Sequence, residues 1–137
     1  DVCSSDLSGM RERMQIFGDD YDSPDGTGVR DYVHVSDLAR GHLMALNWLA
    51  KNNASLTVNL GSEKGISVLE LIESARAITG KPIPADIVAR RPGDPAKLYA
   101  SSAKARELLG WQAQVSDVDS LVGSSWQAYS RGLKEDA

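Results

Sequence analysis

Two separated arginine residues, each close to a glycine, have the type and setting that could bind an anion. Arg30 follows the segment Gly26-Thr27-Gly28, and Arg91 belongs to the segment Arg90-Arg91-Pro92-Gly93-Asp94. A planar guanidinium can hold phosphate or carboxylate oxygens through two parallel hydrogen bonds, and glycine lets the backbone approach a ligand closely. For either arginine alone, a solvated surface charge is the ordinary interpretation. Two such loops in an acidic chain favour one shared anionic ligand.

The composition is that of a globular domain, with 42% hydrophobic and 25% charged residues in 137. The net charge of −4 argues against nucleic-acid or membrane partners. A phosphate ligand must therefore meet local positive charge, which favours a compact ligand. The single cysteine, Cys3, excludes an internal disulfide, and the sequence shows neither a long apolar run nor a signal-peptide pattern. We expect a cytoplasmic protein.

Strand-like and helix-like segments alternate along the chain, which predicts an α/β fold. Expected strands are 14–17, 29–35, 56–60, 83–89 and 97–100, and expected helices are 37–49, 68–79, 103–109 and 118–129. Ser67 and Glu70 have the spacing of a capping box, and Gly80 and Gly110 are natural helix ends. Ser36 or Asp37 is expected to cap the first helix, and Ser101 or Ser102 the third. His34 and His42 are more simply explained by packing or hydrogen bonding than by catalysis.

The sequence around the first arginine resembles the UDP-glucose 4-epimerases, which belong to the extended short-chain dehydrogenase family. The resemblance rests on Gln15-Ile16-Phe17-Gly18-Asp19-Asp20-Tyr21 and on Asp25-Gly26-Thr27-Gly28-Val29-Arg30-Asp31-Tyr32-Val33-His34-Val35. It continues through Asp37-Leu38-Ala39, Asn59-Leu60-Gly61, Arg91-Pro92-Gly93-Asp94 and the segment 103–111. It implies the C-terminal substrate-binding part of a Rossmann-type enzyme, incomplete without its N-terminal half. We expect residues 9–137 to be the nucleotide-sugar-binding region. Residues 1–8 are expected to be a non-native tail, or else a divergent loop.

The resemblance also implies roles for individual side chains. Arg30 and Arg91 would clamp a diphosphate, Asp94 would accept hydrogen bonds from ribose hydroxyls, and Gln15 and Phe17 would frame the uracil. Asp94 could instead simply build a turn with Gly93 and Pro95. Leu98 corresponds to the family position beside the sugar, and its intermediate size leaves both UDP-glucose alone and additional N-acetylated UDP-sugars open. Val68 is equally well explained by nucleotide contact or by core packing.

The activity implied by the resemblance is the interconversion of UDP-glucose and UDP-galactose through transient oxidation at C4. NAD would be bound by the N-terminal half. No glycine-rich dinucleotide motif occurs in the 137 residues, and no tyrosine is followed by a lysine four residues later. We therefore assign no catalytic, cofactor or metal residues to this chain.

Three interpretations stay open on the sequence alone: a UDP-glucose 4-epimerase, another nucleotide-sugar epimerase or dehydratase, and a non-catalytic nucleotide-binding module. A UDP-sugar is the expected partner. We expect the complete enzyme to be a homodimer, and we expect this chain alone not to form one.

Overall fold

The computed structural model of the protein describes residues 13–135, with side chains through residue 131. Strands and helices alternate in it: β1 (Met14–Phe17), β2 (Val29–Asp31), α1 (Val35–Asn52), β3 (Gly65–Ser67), α2 (Val68–Thr79), β4 (Ala85–Val88), β5 (Lys97–Leu98), α3 (Ala103–Leu109) and α4 (Val118–Glu135). The predicted α/β class is confirmed. The expected tail at residues 1–8 and the expected start of the binding region at Gly9 lie outside the described residues.

The strands form two small sheets. In one, β1 and β4 run parallel, with Met14 opposite Ala85 and Phe17 opposite Val88. In the other, β2 lies between β3, which is antiparallel to it, and β5, which is parallel. Because β1 and β4 are parallel, both end at the same edge of their sheet. The loop that begins after Val88 and carries Arg91 therefore starts beside Phe17.

An apolar core lies between the β1–β4 sheet and helices α2 and α4. Its buried members are Ile16, Ile72, Ala75, Ile83 and Val122. Burying one such aliphatic side chain contributes about 1.5–3 kcal/mol. A hydrogen bond of 2.7 Å from Ser74 Oγ to Asp119 Oδ1 joins the two helices at the edge of this core.

Both ends of α2 follow the sequence prediction. The Ser67 hydroxyl accepts from the Glu70 N–H at 3.0 Å, and the Glu70 carboxylate accepts from the Ser67 N–H, so the capping box is present. Gly80 ends the helix with φ of 66°, a left-handed conformation that favours glycine.

A buried polar anchor fixes α1 to the segment between α3 and α4. The Asp37 carboxylate is fully buried and accepts hydrogen bonds from the N–H groups of Gln114 and Val115 and from the Ser116 hydroxyl. Trp111, also fully buried, donates from Nε1 to the Asp37 carbonyl at 2.9 Å. Burial alone would raise the pKa of Asp37, but these hydrogen bonds, with the charge of Arg40, hold that pKa below its ordinary value.

The predicted caps at Ser36 or Asp37 are wrong. Helix α1 begins earlier, at Val35, because His34 is the N-cap and its Nδ1 accepts from the Ser36 N–H at 3.0 Å. Ser102 precedes α3 as expected, but its hydroxyl makes no cap bond. It donates to the Gly61 carbonyl at 2.8 Å instead and accepts from the Gly61 N–H.

The predicted strand 56–60 is wrong, since these residues form none. A strand needs a neighbour to accept and donate its backbone hydrogen bonds, and no described strand pairs with this segment. Strand β2 stops at Asp31 rather than at residue 35, since the chain turns there into α1. The strands at 83–89 and 97–100 are also shorter than predicted, whereas α1 and α4 extend beyond their predicted ends.

Helix α1 has an apolar face that the described residues do not cover. Leu46 and Leu49 are 62% and 39% exposed, and Leu43 is 58% exposed.

Candidate functional site

A small cleft opens between β1, β2, the start of α2 and the loop after β4. It is lined by Gln15, Ile16, Phe17, Tyr21, Gly28, Arg30, Val68, Arg91 and Asp94. Its volume is about 140 Å³, below the roughly 300 Å³ at which ligand pockets begin, so it can enclose only part of a nucleotide-sized ligand. Five of the six residues singled out in the sequence thus line one cleft, although they come from three separate stretches of chain.

Arg30 is oriented by contacts with three neighbouring residues. Its Nη1 donates to the carbonyl oxygens of Val29 and Pro95 at 2.9 and 3.0 Å, and its Nη2 forms an ion pair with Asp94 Oδ1 at 2.9 Å. Its side chain is 24% exposed. A guanidinium has five N–H donors, and among the described residues Nε meets no acceptor. Part of the fork is therefore available to an anion.

Asp94 combines the two roles that the sequence left open. It follows Gly93, which has a left-handed φ of 81°, and its N–H donates to the Arg91 carbonyl at 3.2 Å. It is therefore part of a turn. Its carboxylate also lies in the cleft against Arg30, with 34% of the side chain exposed, and can accept further hydrogen bonds.

Arg91 is held by an aromatic ring rather than by a carboxylate. Its Cζ lies 3.7 Å from the centre of the Phe17 ring. A guanidinium over an aromatic face is attracted by the negative charge density of the ring. No acidic side chain within the described residues pairs with Arg91, so its charge is not offset locally.

The neighbouring Arg90 is directed elsewhere. It stacks on Tyr21, with Cζ 4.0 Å from the ring centre, and pairs with Asp20. It is not one of the residues lining the cleft. Gly18 makes this stack possible, because a Cβ there would lie 2.6 Å from Arg90 Cγ and 2.9 Å from the Tyr21 ring. Arg90 and Arg91 are adjacent in sequence, but they stack on two different rings.

The loop 23–28 is tied to the start of α2 by Asp25, a residue that the sequence analysis did not single out. One Asp25 oxygen accepts from both the N–H and the hydroxyl of Thr27, and the other accepts from the Ser67 hydroxyl. Burial would raise the pKa of Asp25, but these hydrogen bonds outweigh it and lower that pKa. The Val68 N–H donates to the Gly28 carbonyl at 3.1 Å, which brings both residues to the cleft wall. The spacing between Asp25 and Thr27 is typical of an Asx turn and was the available signal.

Leu98 does not line the cleft. It lies on β5 opposite Arg30 of β2 and is 59% exposed. It stands next to the cleft residues without contributing to the wall formed by the described residues.

The two histidines have structural hydrogen bonds. Because Nδ1 of His34 accepts from the Ser36 N–H, the ring proton resides on Nε2, which donates to Ser124 Oγ at 2.8 Å. His34 therefore cannot act as a base toward that hydroxyl. His42 is exposed, and its Nδ1 lies 2.7 Å from the Leu38 carbonyl one turn earlier.

Neither a metal site nor a membrane-spanning helix is found in residues 13–135. No cluster of three or more His, Cys, Asp or Glu side chains is placed to hold a metal ion. None of the described helices is long and apolar enough to cross a membrane.

Known proteins resemble this chain over most of its length. The sequence pattern of the GDP-mannose 4,6 dehydratase family matches residues 4–122. The UDP-glucose 4-epimerase of Streptococcus mutans is 55% identical over 89% of this chain, and that of Lacticaseibacillus casei is 50% identical over 87%. These segments make up 37% and 36% of the two relatives. The chain thus spans little more than a third of the curated relatives it matches, and the match lies in their C-terminal part.

Solved structures show the same relationship. A UDP-glucose 4-epimerase from Stenotrophomonas maltophila, crystallised with NAD and a formylated UDP-arabinopyranose, superposes with a TM-score of 0.89 at 41% identity, covering 98% of this chain and 40% of that one. The Bifidobacterium longum enzyme in complex with NAD+ and UDP has a TM-score of 0.79 at 42% identity, covering 92% and 38%. The chain therefore belongs to the GDP-mannose 4,6 dehydratase family, whose epimerases and dehydratases have the Rossmann-type extended short-chain dehydrogenase fold.

Proposed function

We propose that this chain supplies the UDP-binding surface of an enzyme that interconverts UDP-glucose and UDP-galactose by transient oxidation at C4. The observation that carries the proposal is the meeting of Arg30 and Arg91 in one cleft with Gln15, Phe17 and Asp94. In an otherwise acidic chain, these two guanidiniums form a local positive site of the kind that a diphosphate requires.

Different residues of that site contact different parts of the nucleotide. The Nε edge of Arg30 and the guanidinium of Arg91 hold the diphosphate. Asp94 accepts from the ribose hydroxyls, and the backbone of β1 at Gln15 and Phe17 frames the uracil. Gln15 and Phe17 are suited to this because both lie on β1, a strand fixed by its pairing with β4.

Tight anchoring of UDP has a mechanistic purpose in such a reaction. A sugar oxidised at C4 must turn so that the hydride returns to its other face, while the intermediate stays bound. An anchor that grips only the nucleotide lets the sugar rotate without release. The contacts proposed here all lie on the nucleotide side.

NAD is proposed as the cofactor of the complete enzyme, where it supplies hydride acceptance and return. The residues of this chain do not provide its binding site, because neither a glycine-rich dinucleotide motif nor a Tyr-x-x-x-Lys pair occurs in the sequence. We therefore assign neither the cofactor nor the proton transfer to any residue described here. We also propose that the complete protein is a homodimeric, cytoplasmic enzyme.

The second candidate function is a 4-epimerase that also accepts N-acetylated UDP-sugars. A UDP-Glc/GlcNAc 4-epimerase from Campylobacter jejuni is 37% identical with a TM-score of 0.87. The exposed Leu98, next to the cleft and intermediate in size, is compatible with a sugar carrying an N-acetyl group. A dehydratase and a non-catalytic nucleotide-binding module remain the alternatives.

The test is to assay the product of the complete gene with UDP-galactose, UDP-N-acetylgalactosamine and GDP-mannose. We expect formation of UDP-glucose. Product from UDP-N-acetylgalactosamine at a comparable rate would establish dual specificity. Conversion of GDP-mannose, or UDP binding without any turnover, would overturn the proposal in favour of a dehydratase or a binding module.

A further inference from the structure

We propose that the Phe17 side chain is a positioning residue, which holds the Arg91 guanidinium in place for the diphosphate of the bound nucleotide. The inference rests on the proposed function and adds a role for the ring to the backbone role given above. Arg91 Cζ lies 3.7 Å from the centre of that ring. Both side chains line the same cleft.

Phe17 has a firmly fixed backbone from which to position another side chain. It is the last residue of β1 and lies opposite Val88 of β4. The next residue, Gly18, donates its N–H to the Val88 carbonyl at 2.9 Å. Phe17 itself is partly buried. The loop that carries Arg91 starts from the paired strand.

Arg91, by contrast, lacks other restraints. It is exposed, and its guanidinium makes no hydrogen bond or ion pair to the described residues. A long exposed side chain loses conformational entropy when a ligand fixes it, which weakens binding. Stacking on Phe17 restricts the guanidinium before the ligand binds. It leaves the N–H donors, which lie in the guanidinium plane, available to the phosphate oxygens.

The two other arginines nearby show that this arrangement is particular to Arg91. Arg30 is oriented by two carbonyl oxygens and by Asp94. Arg90 also stacks on an aromatic ring, that of Tyr21, but it pairs with Asp20 and does not line the cleft. The Arg91 guanidinium in the cleft contacts the Phe17 ring and forms no ion pair with the described residues. Arg90 offers a matched control, with the same residue type and the same kind of contact.

The experiment is calorimetric titration of the complete gene product with UDP and, separately, with uridine. Phe17→Leu keeps an apolar side chain but removes the aromatic face, and should weaken UDP binding about threefold to tenfold. Phe17→Tyr should retain the wild-type affinity. Uridine has no phosphate, so its affinity should be the same for Phe17→Leu and wild type. Arg90→Ala should change UDP affinity less than twofold.

A double-mutant cycle decides whether the ring acts through Arg91. In an Arg91→Ala background, Phe17→Leu should weaken UDP binding no further, because the side chain that it positions is gone. An equal loss in both backgrounds, or a parallel loss for uridine, would overturn the positioning role and leave the proposed function standing. No loss of UDP affinity in Arg91→Ala itself would overturn both.

Discussion

One residue, Asp37, joins two parts of the chain that lie more than 70 positions apart in sequence. It sits in the first turn of α1, its backbone carbonyl accepts from Trp111, and its carboxylate gathers the backbone around Val115. The cleft depends on a second such carboxylate, Asp25, which joins the loop before β2 to α2. In both residues, hydrogen bonds to the ionised form stabilise the fold.

Replacing Asp37 with asparagine should destabilise the protein by about 1–3 kcal/mol, because at least one buried donor then loses its acceptor. The thermal midpoint of the complete gene product measures this. Asp22→Asn is the matched control, since Asp22 is exposed. An Asp37→Asn protein as stable as the control would show that the buried network contributes nothing net.

Acidification should act through the same two carboxylates. Their pKa values in the folded protein lie below the ordinary aspartate value of about 3.9. The stability that they contribute is therefore complete above about pH 4 and is lost as the pH falls through their lowered pKa values. Melting curves from pH 7 to pH 3 should show a fall in midpoint below about pH 4 that is smaller in Asp37→Asn. A midpoint that rises on acidification would contradict the assignment.

At the scale of single residues, the sequence identified the side chains that line the cleft better than it identified the structural ones. Arg30, Arg91 and Asp94 stand out because their types and their glycine neighbours are local signals. Asp37 was expected to be a helix cap. Its buried role could not be predicted, because its partners lie more than 70 positions later in the chain and leave no local signal. The division of Arg90 and Arg91 between two rings likewise depends on where Phe17 and Tyr21 lie in space.

Among the elements, α2 has the most complete set of local sequence signals. Its start and its end were both predicted, because a capping box and a terminal glycine mark them in the local sequence. The segment 56–60 has a strand-like composition but no partner among the described residues, so composition alone could not decide its structure. Short strands such as β5 depend on neighbours in the same way.

The capping box offers a test at this scale. Ser67→Ala removes the hydroxyl that accepts from Glu70 and donates to Asp25. It should lower stability by about 0.5–2 kcal/mol, and it should weaken UDP binding measurably because Val68 lines the cleft. Ser55→Ala, at an exposed position, is the control. Unchanged stability in Ser67→Ala would contradict the role given to the cap.

For the whole molecule, the uncovered face of α1 is the dominant feature. Leu43, Leu46 and Leu49 present apolar side chains on an element whose other side is anchored through Asp37. Such a face on a separate chain favours association or poor folding. The 137-residue chain expressed alone should therefore give poorly dispersed amide spectra and no sharp thermal transition. A cooperative melt with well-dispersed spectra would contradict this expectation.

The same chain should be inactive on its own. With NAD added, it should not convert UDP-galactose, because its sequence contains no Tyr-x-x-x-Lys pair and no dinucleotide motif. A coupled assay for UDP-glucose, compared with a buffer blank, checks this. Turnover above the blank would mean that the chemistry resides in residues not assigned here.

UDP titration of alanine variants of the complete gene product tests most directly whether Arg30 and Arg91 hold one diphosphate between them. Charge-assisted hydrogen bonds are worth about 1.5–3 kcal/mol each, so Arg30→Ala and Arg91→Ala should each weaken binding about tenfold to a hundredfold. Lysine should restore only part of the affinity. The double variant should lose less than the product of the single losses, because both residues hold one ligand group. Arg131→Ala, at an exposed position on α4, should bind UDP normally. UDP affinity unchanged in either single variant, with the fold intact, would contradict the account.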